Sequence, residues 1–277
     1  TDNNGNSATC SATLSIIPDF QPDITPDGPT TICQGESVNL DAGIFSSYIW
    51  NETAGDATTQ SVLATTSGTY SVTVTDDNGC TATASEAVIV NDLPTPVITA
   101  NGPTTFCQGN NVLLDAGIHD AYEWNDLGGN ATTQWVSATQ NGTYTVTVTN
   151  EYGCTSATSI EVTVYAAPVA LINGLTSLCQ GSTLSLIASG GNSYSWSGPD
   201  GFTAFSHSFV RNNANPTMSG IYTVTVTSGD GCVNIVSTVV TVYPTPVAEI
   251  TGIAAVCEGG AINLMASGGT NYAWSGP

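Results

Sequence analysis

The chain has no lysine and a single arginine, Arg211, against 22 acidic residues, so its net charge is −21. A basic patch for nucleic acid or anionic lipid is therefore excluded. Lys–Asn isopeptide crosslinks cannot form, and trypsin-like proteases have one cleavage site, after Arg211. No run approaches the ~18 consecutive apolar residues of a membrane span, so direct membrane insertion is not expected. Segments of helical period are also missing. The two histidines, His119 and His207, sit at unrelated positions and outside any triad pattern, and no active-site constellation accompanies them. A disordered acidic tail is excluded as well, because 40% of residues are hydrophobic and they alternate with polar ones.

What is present is one register, repeated. Cys33, Cys107, Cys179 and Cys257 each open a Cys-Gln-Gly or Cys-Glu-Gly triplet. A tryptophan follows each by 17 residues (Trp50, Trp124, Trp196, Trp274), and a proline precedes each by 11 (Pro22, Pro96, Pro168, Pro246). Gly-Thr-Tyr or Gly-Ile-Tyr then brings Tyr70, Tyr144 and Tyr222, and ten residues after each comes a second cysteine: Cys80, Cys154, Cys232. A period of this size means an array of like modules. The prolines divide the chain into modules at 22–95, 96–167 and 168–245, flanked by the end of a preceding module at 1–21 and the beginning of another at 246–277. The joins are short and proline-bearing, as in Leu93-Pro94-Thr95-Pro96, so semi-rigid linkers and an extended rod are expected.

Paired cysteines at fixed spacing point to disulfides and an oxidising compartment. The rival, a four-cysteine zinc site, needs close pairs, whereas the nearest cysteines here, Cys10 and Cys33, are 23 apart. Opener and closer within each module give the expected pairs Cys33–Cys80, Cys107–Cys154 and Cys179–Cys232. Cys10 and Cys257 are then expected to pair outside this sequence. A loop of 47 positions closed in this way contributes about 4 kcal/mol in the chain-entropy model.

Within a module the period is two. Tyr70-Ser71-Val72-Thr73-Val74-Thr75 alternates apolar with hydroxyl side chains, as do Tyr144–Thr149 and Tyr222–Thr227. Asp76-Asp77-Asn78-Gly79 turns the chain into a partner strand. Six or seven short strands per module predict an all-β chain of tandem immunoglobulin-like β-sandwiches in an extended rod, with one disulfide per module. Trp50, Trp124, Trp196 and Trp274, with Tyr70, Tyr144 and Tyr222, are the candidate core of each.

Cys-Gln-Gly-x-x-Val/Leu-x-Leu, then Tyr-x-Trp, then Gly-Thr-Tyr-Thr-Val-Thr-Val-Thr and Asn-Gly-Cys, together resemble the Ig-like or PKD-like repeats of very large secreted proteins of Bacteroidota. Trp196-Ser197-Gly198-Pro199-Asp200-Gly201-Phe202-Thr203 adds to the likeness, which covers the whole chain. Such repeats occur in gliding-motility adhesins of the SprB type, in other surface adhesins and as spacers of secreted enzymes. The resemblance implies export by type IX secretion and a place on the cell surface.

Four kinds of site are candidates. Between Trp196 and Tyr222 the third module is six residues longer than the others, and Phe202, Phe205, His207, Phe209, Arg211 and Asn212 form a candidate contact loop. Trp135 suits either the local core or a stacking platform for sugar, with the core favoured. Asp19, Asp23 and Asp27, and separately Asp76, Asp77 and Asn78, offer hard oxygen ligands for calcium, although the turn role of Asp and Asn explains the second group as well. Asn51, Asn130 and Asn141 match the Asn-x-Thr glycan acceptor pattern. No cofactor is required and no enzyme is expected.

The expected function is a repeat segment of a secreted cell-surface adhesin, a stalk and multivalent contact surface, with gliding motility as one setting. A filament subunit and a spacer of a secreted carbohydrase are the alternatives. Expected partners are neighbouring modules, surface polysaccharide or other surface proteins.

Overall fold

The computed structural model describes residues 1, 3–11, 20–125, 127, 129–253 and 255–276. Among them there is no α-helix, only single turns of 3₁₀ helix such as Glu52–Ala54. Every regular element is a strand, as the two-residue alternation requires.

The first repeat supplies β1 (Thr25–Pro26), β2 (Thr31–Cys33), β3 (Val38–Asp41), β4 (Ser47–Trp50), β5 (Ser61–Ala64), β6 (Gly68–Thr75) and β7 (Thr81–Asn91). These form two sheets of order β1-β3-β5 and β2-β7-β6-β4. Neighbouring strands run antiparallel except β2, which lies parallel to β7 with Cys33 opposite Asn91. Between the sheets Val38, Leu40, Trp50, Tyr70, Val72 and Val74 form a dry cluster, each at most 2% exposed. The strand pattern explains it, since β6 buries alternate residues and turns its threonines outward.

Three features mark this as an immunoglobulin-type sandwich. There are two facing sheets of seven strands, with the first pair of edge strands divided between them. Trp50 is 1% exposed, and its indole N–H donates to the Thr59 carbonyl at 2.8 Å. The Tyr70 hydroxyl donates back to the carbonyl of Thr66, four residues upstream, at 3.2 Å, which makes a tyrosine corner. Val72, two residues after Tyr70, is fully buried where antibody domains carry a core cysteine. The middle of this core is thus aliphatic, and its cysteines stand elsewhere.

The second repeat contributes β8 (Thr99–Ala100), β9 (Thr105–Cys107), β10 (Val112–Asp115), β11 (Ala121–Trp124), β12 (Trp135–Ala138), β13 (Gly142–Thr149) and β14 (Thr155–Tyr165), in sheets β12-β10-β8 and β11-β13-β14-β9. Its strand order matches that of the first repeat, and Trp124, Tyr144 and Val146 are likewise buried.

The third repeat has β15 (Leu171–Gly174), β16 (Ser177–Cys179), β17 (Leu184–Ser189), β18 (Ser193–Gly198), β19 (Phe202–Ala204), β20 (Ser208–Arg211), β21 (Gly220–Thr227) and β22 (Val233–Tyr243). The sheets are β15-β17-β20 and β16-β22-β21-β18-β19. Five of the six extra residues lie between β20 and β21, a stretch of eight residues (212–219) where the first two repeats have three, and β19 pairs back on β18. Trp196 and Tyr222 occupy the core as Trp50 and Tyr70 do, and the Tyr222 hydroxyl reaches the Met218 carbonyl at 3.2 Å.

β23 (Glu249–Gly252) and β24 (Leu264–Ser267) close the series as an isolated antiparallel pair. Trp274, expected in a core, is instead 53% exposed. In the earlier repeats the tryptophan lies on a strand paired with the one that carries the tyrosine, whereas β23 and β24 pair only with each other.

The described contacts divide the chain into two compact units. One comprises 1–99, 114–136 and 144–160; the other comprises 100–113, 137–143 and 161–277. The first repeat lies wholly in the former and the third wholly in the latter.

Trp50→Ala should cost about 3–5 kcal/mol of unfolding free energy, as expected for a large aromatic lost from a close-packed core. Tyr70→Phe, which loses only the corner hydrogen bond, should cost about 1 kcal/mol. Urea unfolding followed by tryptophan fluorescence measures both, and equal losses would contradict the assigned roles.

Candidate functional site: cysteine junctions between repeats

Two kinds of turn carry the cysteines. The closing cysteine ends the hairpin between the two longest strands of a repeat. At Asp76–Cys80 the Gly79 N–H donates to the Asp76 carbonyl at 3.1 Å, and the Asp76 N–H donates to the Cys80 carbonyl at 2.9 Å. Gly79 takes φ 81°, the left-handed conformation this three-residue loop requires. The Asp76 Oδ1 accepts the N–H groups of Asn78 at 2.9 Å and Cys80 at 2.8 Å.

The equivalent turns place Asn150 and Ser228 at the same point. Asn150 Oδ1 accepts from Cys154 N–H at 2.9 Å, and Ser228 Oγ accepts from Cys232 N–H at 3.1 Å. The position needs an oxygen acceptor, whether or not it is charged. That accounts for Asp76 without calcium.

The opening cysteine ends the short strand that runs parallel to the last long strand. Cys33 lies opposite Asn91, Cys107 opposite Tyr165, and Cys179 opposite Tyr243. The next residue fixes the register: Gln34, Gln108 and Gln180 each donate a backbone N–H at 2.8 Å to that opposite carbonyl.

These two turns sit at opposite ends of one strand. β7 has eleven residues, and at about 3.3 Å per residue it separates the Cys80 turn from the Cys33 turn by roughly 36 Å. A disulfide needs Cα atoms about 4.4–6.8 Å apart. β22, also eleven residues long, holds Cys179 and Cys232 apart in the same way. The expected pairing within modules is therefore wrong. Cys33 bonds Cys154, with Cα atoms 5.6 Å apart, and Cys107 bonds Cys232, at 5.5 Å. Cys10, Cys80, Cys179 and Cys257 are free. The expectation of one disulfide inside each module falls with it. Each bond staples the opener of one repeat to the closer of the next.

Neighbouring groups support both staples. In the first, the Asn150 side-chain amide donates to the Asp92 carbonyl at 2.9 Å, and Cys154 Sγ lies 4.0 Å from the Asn91 carbonyl oxygen. In the second, Asn234 donates to the Pro168 carbonyl at 2.9 Å, and Cys232 Sγ lies 3.8 Å from the Tyr165 oxygen. Cys154 and Cys232 are each 1% exposed.

Half of the candidate contact loop folds inward. Phe209 is buried, with its ring 5.0 Å from Trp196, 4.5 Å from Phe202 and 5.6 Å from Tyr222. Arg211 lies over the Phe202 ring at 4.9 Å, donates to the Tyr222 hydroxyl at 2.6 Å and faces Asp200 at 3.9 Å. These residues were assigned to a surface because the insert was read as a loop, but β19 and β20 fold it onto the core. Of the six residues singled out, Phe202, Phe209 and Arg211 are wholly or partly buried, and Phe205 and His207 are exposed. Asn212, beside them in sequence, is exposed too, with its Oδ1 3.3 Å from the Thr183 hydroxyl.

Trp135 goes the other way. The core reading was favoured, yet it is 51% exposed, because Val136 takes the inward position on β12.

Of the calcium candidates, Asp19 lies outside the described residues. Asp27 Oδ1 accepts the Asn39 N–H at 2.8 Å. No group of three His, Cys, Asp or Glu side chains among the described residues could hold a metal.

Asn51 is committed internally. Its amide donates to the Thr69 carbonyl at 2.7 Å and its oxygen accepts from Ser71 N–H at 3.2 Å, so a glycan there would break a strand contact. Asn141 Oδ1 accepts from Val164 N–H at 3.2 Å, and Asn130 is exposed.

Three carboxyls are held below their ordinary range by hydrogen bonds. The Asn78 side-chain amide does so for Asp76, with the backbone N–H groups of Cys80 and Asn78 adding to it. The Gln134 amide and then the Gly117 N–H act on Asp115, and the Gln60 amide and then the Gly43 N–H act on Asp41.

No protein-family model matches the chain, and no curated protein matches it. Solved structures do. The N-terminal eight Ig domains of Down Syndrome Cell Adhesion Molecule isoform 1.30.30 are 17% identical over 82% of this chain, with a TM-score of 0.47, and this chain spans 37% of that one. Extracellular domains 3–5 of Drosophila OTK are 12% identical over 84% of this chain and all of that one, with a TM-score of 0.35. The three N-terminal domains of the bacteriophage RB49 highly immunogenic outer capsid protein are 16% identical over 82% and 100%, with a TM-score of 0.33. The immunoglobulin-type assignment rests on the strand order, buried tryptophan and tyrosine corner of this chain.

Cys154→Ser should lower stability by up to about 5 kcal/mol, since the Cys33–Cys154 bond closes 121 residues, and Cys33→Ser should do the same. In this 277-residue chain on its own, where Cys80 is free, Cys80→Ser should change nothing; a loss there equal to that of Cys33→Ser would restore the pairing within modules.

The depressed carboxyls set the acid response. A carboxyl with a lowered folded pKa contributes stability above its unfolded value, about 3.9, and loses it as pH falls through the folded value. Asp76→Asn copies the second repeat's Asn150 and cannot titrate. Below about pH 4 its urea midpoint should gain on the wild type's, and parallel midpoint curves would refute the role given to Asp76.

Proposed function

We propose that this chain is a repeat segment of a long extracellular, cell-surface adhesin, whose sandwiches at 22–95, 96–167 and 168–245 are the modules of a stalk. The observation that carries the reading is the staple between consecutive repeats. A spacer that only separates two domains gains nothing from bonds that skip from one repeat into the next. A stalk under tension gains a great deal.

The two bonds overlap in sequence. The shortest covalent path from Cys33 to Cys232 crosses to Cys154, returns along the chain to Cys107 and crosses again, a run of 47 residues (154 − 107) in place of 199 (232 − 33). At about 3.4 Å per residue that limits extension to roughly 160 Å, against roughly 680 Å for the reduced chain. Disulfides also suit an oxidising extracellular setting. No described helix is long and apolar enough to cross a membrane. Export by type IX secretion and a role in gliding belong to the same proposal, and they rest on the sequence resemblance alone.

A filament subunit is the second reading. It has in its favour an outward apolar row on β21 and β22, where Ile221, Val233, Ile235 and Val239 are each more than half exposed. In the first repeat the positions matching Val233 and Ile235 are Thr81 and Thr83.

Pulling single molecules by their ends tests the stalk. Oxidised protein should yield no more than the short extension between Cys33 and Cys232, and reducing agent should release the long one. Equal extensions would refute it. In-frame removal of these repeats from the parent protein should lower cell attachment; unchanged attachment with intact surface display would leave the filament.

A further inference from the structure

We propose that Cys80 and Cys179 are not spare thiols but halves of two further staples. Cys80 would bond the cysteine of a Cys-(Gln/Glu)-Gly triplet in a repeat before it. Cys179 would bond the cysteine of a closing turn in a repeat after it.

The basis is that each free cysteine stands in the local structure that is bonded elsewhere in the same chain. The Cys80 turn repeats the Cys154 and Cys232 turns bond for bond. The cysteine N–H is held by the side-chain oxygen four residues earlier at 2.8, 2.9 and 3.1 Å, and the return bond to the cysteine carbonyl measures 2.9, 3.0 and 2.8 Å. The preceding glycines, Gly79, Gly153 and Gly231, have φ 81°, 81° and 82°.

The Cys179 turn repeats the Cys33 and Cys107 turns as closely. The parallel register is the same, the following glutamine N–H reaches the opposite carbonyl at 2.8 Å in all three, and Gly35, Gly109 and Gly181 have φ 94°, 97° and 86°. Exposure follows bonding among the closers: Cys154 and Cys232 are buried by their partners, whereas Cys80 is half-exposed. Cys179, the free opener, is exposed.

No free partner of the right kind lies in a neighbouring repeat within this chain. Cys33 and Cys107 are occupied, and β7 and β22 keep Cys80 from Cys33 and Cys179 from Cys232. Cys257 begins an opening triplet, but three repeats after that of Cys80, whereas both observed staples join consecutive repeats, and Cys10 stands five residues past the turn glycine Gly5 and so outside the closing position. The partners are therefore other repeats of this kind, and every repeat in such an array would carry one staple forward and one back. Forming each bond takes two protons and two electrons from two thiols. A protein disulfide of the export compartment accepts them and becomes a dithiol, through a mixed disulfide.

The inference rests on the serial-repeat reading and on the two observed staples, so the test reads all four bonds at once. The native full-length protein is alkylated without reduction, digested with pepsin in acid to suppress exchange, and mapped by mass. The expected result is Cys33–Cys154 and Cys107–Cys232 together with Cys80 linked to a Cys-(Gln/Glu)-Gly peptide and Cys179 linked to a Gly-Cys closing peptide, in a protein that runs as a single chain on a denaturing gel without reductant. Alkylated Cys80 and Cys179 beside intact staples would overturn this inference alone. Covalent multimers would overturn it too, since the partner would then be a second copy. Cys33–Cys80 would overturn the staples themselves, while attachment of cells lacking the repeats would still decide the adhesin reading separately.

Discussion

The strand that ends each repeat is eleven residues long, and it holds the two cysteine turns of a repeat at opposite poles. Nothing inside a repeat can bring them together, because a strand in a paired sheet neither bends back nor shortens. The cysteines must either stay free or look outward. In both observed cases the opener at the end of one repeat meets the closing turn at the start of the next repeat's last strand. The aliphatic core, the short proline joins and the turn chemistry all fit around that constraint.

A core without a disulfide needs its stability from packing. Val72 and Val224 fill the place where antibody domains keep a cysteine, against Trp50 and Trp196, and the tyrosine corner locks the neighbouring strand. The cysteines are thus released from core duty. They act at the junctions, where a bond closing more than a hundred residues restricts the unfolded chain more than a bond within one repeat would. The third repeat departs from the others in its core, where Phe202, Phe209 and Arg211 add an aromatic and cationic layer over Tyr222. The only arginine of a strongly acidic chain is spent on holding that layer together.

The function proposed for the chain comes from connectivity and has no pocket behind it. Carboxylates that the sequence offers as calcium ligands accept backbone hydrogen bonds in turns, and at the equivalent positions a neutral asparagine and a serine do the same work. A site built for a cation would have kept its charge.

Much was legible in the sequence. The two-residue alternation fixes strands, the recurring Cys–Trp–Tyr–Cys register fixes repeats, and the tryptophans and tyrosines with a following strand fix the core. Three features were decided only in three dimensions. Spacing gives the distance between two cysteines along the chain, but pairing depends on which ends of which strands meet, so the nearest partner in sequence lost to one 121 residues away. Trp135 and Phe209 exchanged the roles their neighbourhoods suggested, because one residue of register decides which side of a strand faces inward. The insert that read as a loop became a hairpin, because its aromatics found a core to cover. Local pattern determines which elements form; which surfaces face each other is set by packing between residues far apart in the chain.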